Sequence, residues 1–90
     1  MVIKVQIPTP MREQAGGQSE VEVSGGTVKA ALDDLVRRHP GLGAKLFDNG
    51  RLRPYVNVFV NDEDIRYLDD LDTAVKDGEV VALIPAVAGG

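Results

Sequence analysis

Ile3, Val5 and Ile7 alternate with Lys4 and Gln6, the period of two of a strand with one buried face. Pro8 and Pro10 interrupt any continuing ladder. A connection holding Gly16-Gly17 follows, and then Val21 and Val23 alternate with Glu20, Glu22 and Ser24, which predicts an antiparallel hairpin with a long loop. Ser24-Gly25-Gly26-Thr27 reads as a turn, with Thr27 set to cap a helix that starts at Val28. Val28, Ala31, Leu32, Leu35 and Val36 then recur at i, i+3, i+4, i+7 and i+8 as one apolar stripe. Pro40 disfavours helical geometry at His39, so the helix should end near Arg38.

The second half is more broken. Leu42 to Phe47 predicts a short turn of helix, closed by the turn signal Asp48-Asn49-Gly50. Tyr55 to Val60 is the most β-prone stretch and should be an inner strand, with Val56, Val58 and Val60 on one face and Tyr55, Asn57 and Phe59 on the other. Asn61 to Asp64 reads as a turn, Ile65-Arg66-Tyr67 as a short strand, and Leu71 with Val75 as a brief helical turn before Asp77-Gly78. Glu79 to Ile84 is the last strand. The order is hairpin, helix, strand, minor elements, strand, and it predicts an α+β domain whose mixed sheet wraps around one main helix. First and last strands should run parallel at the sheet centre, because the helix supplies the crossover that parallel pairing needs. That is the order of a β-grasp, the ubiquitin-like fold, with a domain over residues 1–85 and a protruding tail over 86–90.

Composition narrows the chemistry. Ninety residues suffice for one core without metal or disulfide staples, and rule out two domains. With no cysteine and one histidine, disulfides, Cys-ligated metals and thiol nucleophiles are excluded, and His39 alone completes no metal site. His39 reads as structural, at a helix end. No metal, no bound cofactor and no catalytic residue are expected, so the chain does not look like an enzyme. A net charge of −4 argues against nucleic acid as a partner. The longest apolar run, Val80 to Ile84, is far below the roughly 20 residues of a membrane span. The N-terminus has a strand pattern rather than that of a secretory signal, which makes the cytoplasm the expected location. Residues 46–90 hold four bases and nine acids, either a solvated acidic face or a surface that steers a basic partner.

After the last strand comes Pro85-Ala86-Val87-Ala88-Gly89-Gly90, every residue small or stiff. Five residues beyond Pro85 reach about 17 Å at full extension. Two final glycines leave a carboxylate with no side chain on either of its last two α-carbons, open to another enzyme's nucleotide and nucleophile. A frayed glycine end is the plain alternative. The coincidence of β-grasp order, a tail starting just after the final strand, and a second glycine in last place favours a reactive terminus.

These residues resemble a known family. Val56-Asn57-Val58-Phe59-Val60-Asn61-Asp62-Glu63-Asp64-Ile65-Arg66, Leu71-Asp72-Thr73, Asp77-Gly78 and Ile84-Pro85-Ala86-Val87-Ala88-Gly89-Gly90 are similar to the ubiquitin-like sulfur carriers of the ThiS/MoaD group, along essentially the whole chain. Ile7-Pro8-Thr9 with Gly16-Gly17-Gln18 resembles the CysO branch more than the small subunit of molybdopterin synthase. The resemblance implies a substrate of enzymes. An E1-like adenylyltransferase, using ATP and magnesium, would adenylate Gly90, and sulfur transfer would leave a thiocarboxylate there. Ala86, Val87, Ala88 and Gly89 would be the tail that partner enzymes recognise. In the CysO branch a pyridoxal-phosphate-dependent cysteine synthase would accept the sulfur onto an activated amino acid such as O-phosphoserine, and a zinc metallopeptidase would release the product. The competing implications are a molybdopterin synthase small subunit working with a large catalytic subunit, a protein modifier joined to lysines, and a plain interaction module.

Tyr55 and Phe59 are half of the chain's four aromatic residues. On the sheet face away from the helix they form either a candidate partner surface or an aromatic pair packed under the 40s loop.

Overall fold

The computed structural model describes residues 2–85. β1 (Ile3–Gln6) and β2 (Glu20–Val23) pair antiparallel with Ile3 opposite Val23, and their alternation buries Ile3, Val5, Val21 and Val23. The expected hairpin is present, but its loop is not irregular. Thr9–Ala15 forms a 3-10 helix that sinks Met11 and Ala15 into the core. Pro10 suits its first turn, where the missing N–H costs nothing, and Gly16, at φ 67°, closes it with an N–H donated to the Arg12 carbonyl.

Helix α1 (Val28–Arg38) has the predicted bounds, and the Thr27 Oγ1 cap accepts the Ala30 N–H at 3.1 Å. Val28, Ala31, Leu32 and Leu35 are fully buried; Val36, on the margin of the stripe, packs against the core in part. Asp34 ties this helix to the end of β2, its carboxylate accepting the Ser24 N–H at 2.9 Å and Arg38 Nε at 2.9 Å, with Arg37 as a further partner. These bonds, the Ser24 N–H first, hold the Asp34 carboxyl well below the usual carboxylate range.

Beyond His39, Pro40–Leu42 makes a 3-10 turn and α2 (Gly43–Leu46) a single turn of helix, burying Leu42 and Leu46. β3 (Phe47–Asp48) and β4 (Arg51–Leu52) form a separate ribbon. Its turn is the predicted Asn49-Gly50, at φ 53° and 79°.

β5 (Val56–Val60) is an inner strand as expected, starting one residue after Tyr55. The following hairpin departs from expectation. Only Asn61 and Asp62 form the turn, both left-handed at φ 48° and 70°, so Glu63 and Asp64 are free to pair with Val60 and Phe59 as β6. Two left-handed residues between paired strands suit the right-handed twist of a hairpin. Ile65–Tyr67, expected as a strand, is instead a 3-10 turn capped by Asp64, whose carboxylate accepts the Arg66 N–H. Arg66 also forms a side-chain ion pair with Asp64, and these bonds lower the Asp64 pKa. Asp70–Asp72 is a further 3-10 turn, which does not extend to Val75; Ala74 makes a bridge to Thr27 instead.

β7 (Val80–Pro85) completes a five-stranded sheet in the order β2-β1-β7-β5-β6. It runs parallel to β1 and antiparallel to β5, so first and last strands meet at the centre. One core joins the inner sheet face to α1, α2 and the 3-10 helix.

Candidate functional site

The central placement of β7 organises the site. Val81 and Leu83 are buried, while Ile84 is 46% exposed, so alternation sends Val80, Ala82 and Ile84 to the face away from α1. Ala82 stands opposite Phe59, and Ile84 opposite Asn57. Apolar groups thus run along the middle of that face, bordered by exposed Lys4, Gln6, Glu20 and Glu22. Phe59 is half-buried on this face. Tyr55 precedes the strand, 41% exposed, in a turn where the Val56 N–H donates to the Arg53 carbonyl at 3.0 Å. The 40s segment sends its own Leu42, Leu46 and Phe47 to the core. Ile84 is the member of this surface that reading the residues left out. Its position after Leu83 in an alternating strand was the signal for it.

Pro85 is the last residue of β7 and stands opposite Val56; it ends the described chain at one edge of the domain. Ala86, Val87, Ala88, Gly89 and Gly90, expected to carry the chemistry, lie outside the described residues. Asp62, Asp77 and Glu79 lie toward the opposite end of β7, whereas Asp64 and Asp70 line a cleft with Pro54 and Val56. Asp77 and Glu79 precede β7, and the Asn61-Asp62 turn adjoins its start through the Val60–Val81 pair. The Thr73 carbonyl, next to Asp72, accepts the Val28 N–H at 3.0 Å. Among the described residues no group of three His, Asp or Glu side chains is placed to hold a metal ion. No described helix is long and apolar enough to cross a membrane.

A mixed five-stranded sheet around one main helix, with the last strand at its centre, defines a ubiquitin-like β-grasp protein. Residues 5–90 match the model of the ThiS family. The chain is 44% identical to the sulfur carrier protein CysO of Mycobacterium tuberculosis over the full length of both. The crystal structure of the Amycolatopsis orientalis BexX/CysO complex contains a chain 44% identical to this one, with a TM-score of 0.91 over 98% of this chain and 99% of that one. The small archaeal modifier protein 1 of Methanosarcina acetivorans superposes with a TM-score of 0.89 at 31% identity, over 99% of this chain and 96% of that one. The chain belongs to the ThiS family of sulfur carriers. Its role is that of a carrier and a substrate of enzymes, and it is not an enzyme itself.

Proposed function

We propose that Gly90 is the attachment point, and that its carboxylate is adenylated and then converted to a thiocarboxylate. A carboxylate is a resonance-stabilised anion and a poor electrophile. Joined to AMP it gains a leaving group, with pyrophosphate released from ATP. A hydrosulfide-class nucleophile then forms the C–S bond as the C–O bond to AMP breaks, and one proton is lost. ATP and magnesium belong to the activating enzyme, an E1-like adenylyltransferase, and this chain contributes the tail and its presentation. Ala86, Val87, Ala88 and Gly89 carry no bulk that would obstruct a narrow channel.

The observation that supports this reading is the position of Pro85 at the end of the central strand, immediately before residues 86–90. The exposed face with Ile84, Phe59 and Tyr55 is the surface on which the activating enzyme rests. Similarity to CysO supports cysteine assembly as the destination of the sulfur, through a pyridoxal-phosphate-dependent synthase and a zinc metallopeptidase. The BexX complex of the Amycolatopsis orientalis relative supports docking of such carriers on partner proteins. The cytoplasm, where ATP is available, is the location that fits.

Deleting Gly89 and Gly90 should abolish ATP–pyrophosphate exchange by the activating enzyme while leaving the melting temperature unchanged. Exchange at the full-length rate would refute the role of the tail. Similarity to a small archaeal modifier protein favours a second reading, conjugation to lysines, whose sign is Gly-Gly remnants on target lysines after proteolysis.

A further inference from the structure

Charge is distributed unevenly between the two ends of the sheet. Residues 37–55 hold five bases and one acid, whereas residues 61–79 hold two bases and eight acids. The basic stretch reaches the end where β7 finishes, because the Val56 N–H donates to the Arg53 carbonyl and Val56 stands opposite Pro85. Of the acidic stretch, Asp62 adjoins the Val60–Val81 pair, and Asp77 and Glu79 precede β7, so these carboxylates lie at the other end.

The cations of the basic stretch differ in what holds them. Arg37 and Arg38 both pair with Asp34, which leaves an excess of one charge there. Arg53 donates Nε to the Ala44 carbonyl at 2.8 Å, which fixes its guanidinium beside exposed Lys45. Arg51 is exposed on the β3–β4 ribbon, with Asp48 as its cross-strand neighbour. The other ion pairs among the described residues are Lys29–Asp33 and Arg66–Asp64, so Lys45, Arg51 and Arg53 have no carboxylate partner there. Asp64 and Asp70 line a cleft together with Arg53, but Asp64 is committed to Arg66. Three cations without partners, set against Asp48 and Asp70, and the excess at Arg37 and Arg38 leave this lobe positive in a chain of net charge −4.

We propose that this lobe, with Lys45, Arg51 and Arg53 at its surface, is a docking surface for an acidic rim on the enzyme that activates Gly90. Position and sign select that occupant. The lobe is continuous with the face around Ile84, Phe59 and Tyr55, since Arg53 and exposed Pro54 lead directly into Tyr55, and it borders the strand end that precedes residues 86–90. Its sign suits carboxylates and opposes a second copy of this chain docked lobe to lobe. Opposite charges at the two ends of the sheet give the molecule a direction in the field of such a rim, turning the Pro85 end toward the enzyme and the Asp62, Asp77 and Glu79 end away. The apolar face then makes its contacts after an encounter that the lobe has oriented.

The proposal rests on the reading of Gly90 above. Association with the immobilised activating enzyme, measured without ATP, reads docking alone, while ATP–pyrophosphate exchange by the same preparations reports on Gly90 independently. Lys45→Glu combined with Arg51→Glu should slow association about tenfold at low salt, with an unchanged melting temperature. Lys29→Glu combined with Lys76→Glu changes the net charge equally, at exposed positions outside the lobe, and should slow association far less. Raising the salt to about 1 M, which shortens the screening length to about 3 Å, should bring all three proteins to the same rate. Lys45→Gln with Arg51→Gln removes the charge without reversing it and should give a smaller loss in the same direction, a second reading that holds where the reversed pair does not fold. Equal slowing by both reversed pairs overturns the proposal, because net charge would then suffice. Wild-type association rates for the Lys45 and Arg51 variants, or a gap that persists at high salt, overturn it as well.

Discussion

Two residues beside the β2–α1 turn fix how the helix crosses the sheet. Gly25 has no room for a side chain, since a Cβ there would lie 2.5 Å from the Ala31 nitrogen and 2.8 Å from the Ala30 carbonyl carbon. Both are backbone atoms of the first helical turns and cannot yield by a rotamer change. Gly25→Ala should cost about 1–3 kcal/mol in urea unfolding, the range for forced overpacking. Asp34 acts through charge. Its folded pKa lies below the unfolded value of about 3.9, so its contribution is complete above that pH and is lost as pH falls through the folded value. Asp34→Asn should lower the melting temperature at neutral pH, and the gap from wild type should close as pH is taken below about 4. A gap independent of pH would contradict the ionic role. The Thr27 cap is legible from its position before an apolar stripe. The Asp34 anchor is not, because its main acceptor contact is to Ser24, ten residues away, and no local pattern announces it.

At the scale of elements, the long alternations and the helical stripe identify β1, β2, α1, β5 and β7 directly, because each buries one whole face. The short elements depend on tertiary contacts. Thr9–Ala15 looks like a loop because two prolines open it, yet Met11 and Ala15, four apart, supply an apolar edge that the core takes up. The exchange of roles between Asn61–Asp64 and Ile65–Tyr67 comes from one choice, a two-residue turn with both residues left-handed. Asn and Asp tolerate that conformation better than β-branched residues do. Asp62→Val should therefore destabilise the protein by about 1–2 kcal/mol, with Asp62→Gly at least as stable as wild type by the same urea titration. Equal stability of Val and Asp there would show that the turn is not under this constraint.

For the whole molecule, the poverty of reactive side chains in the sequence and the central position of the last strand fit the proposed role of Gly90. A chain with no cysteine and one histidine leaves, on the proposed reading, the Gly90 carbonyl to hold the sulfur, and β7 at the sheet centre ends at Pro85, just before that segment. The carrier role was legible through the resemblance carried by residues 56–66 and by Ile84 to Gly90, whereas the strand pattern and the final glycines alone pointed only to an unhindered terminus. The partner-facing residues were only partly so. Phe59 and Tyr55 are conspicuous as aromatics, whereas the exposure of Ile84 follows from strand register. The central claim is that Gly90 carries sulfur, and intact mass spectrometry after incubation with the activating enzyme, ATP and a sulfide source tests it most directly. The account predicts a mass gain equal to one oxygen-for-sulfur exchange, localised to Gly90 by fragmentation. An unchanged Gly90 carboxylate, under conditions that convert a known carrier, would contradict it.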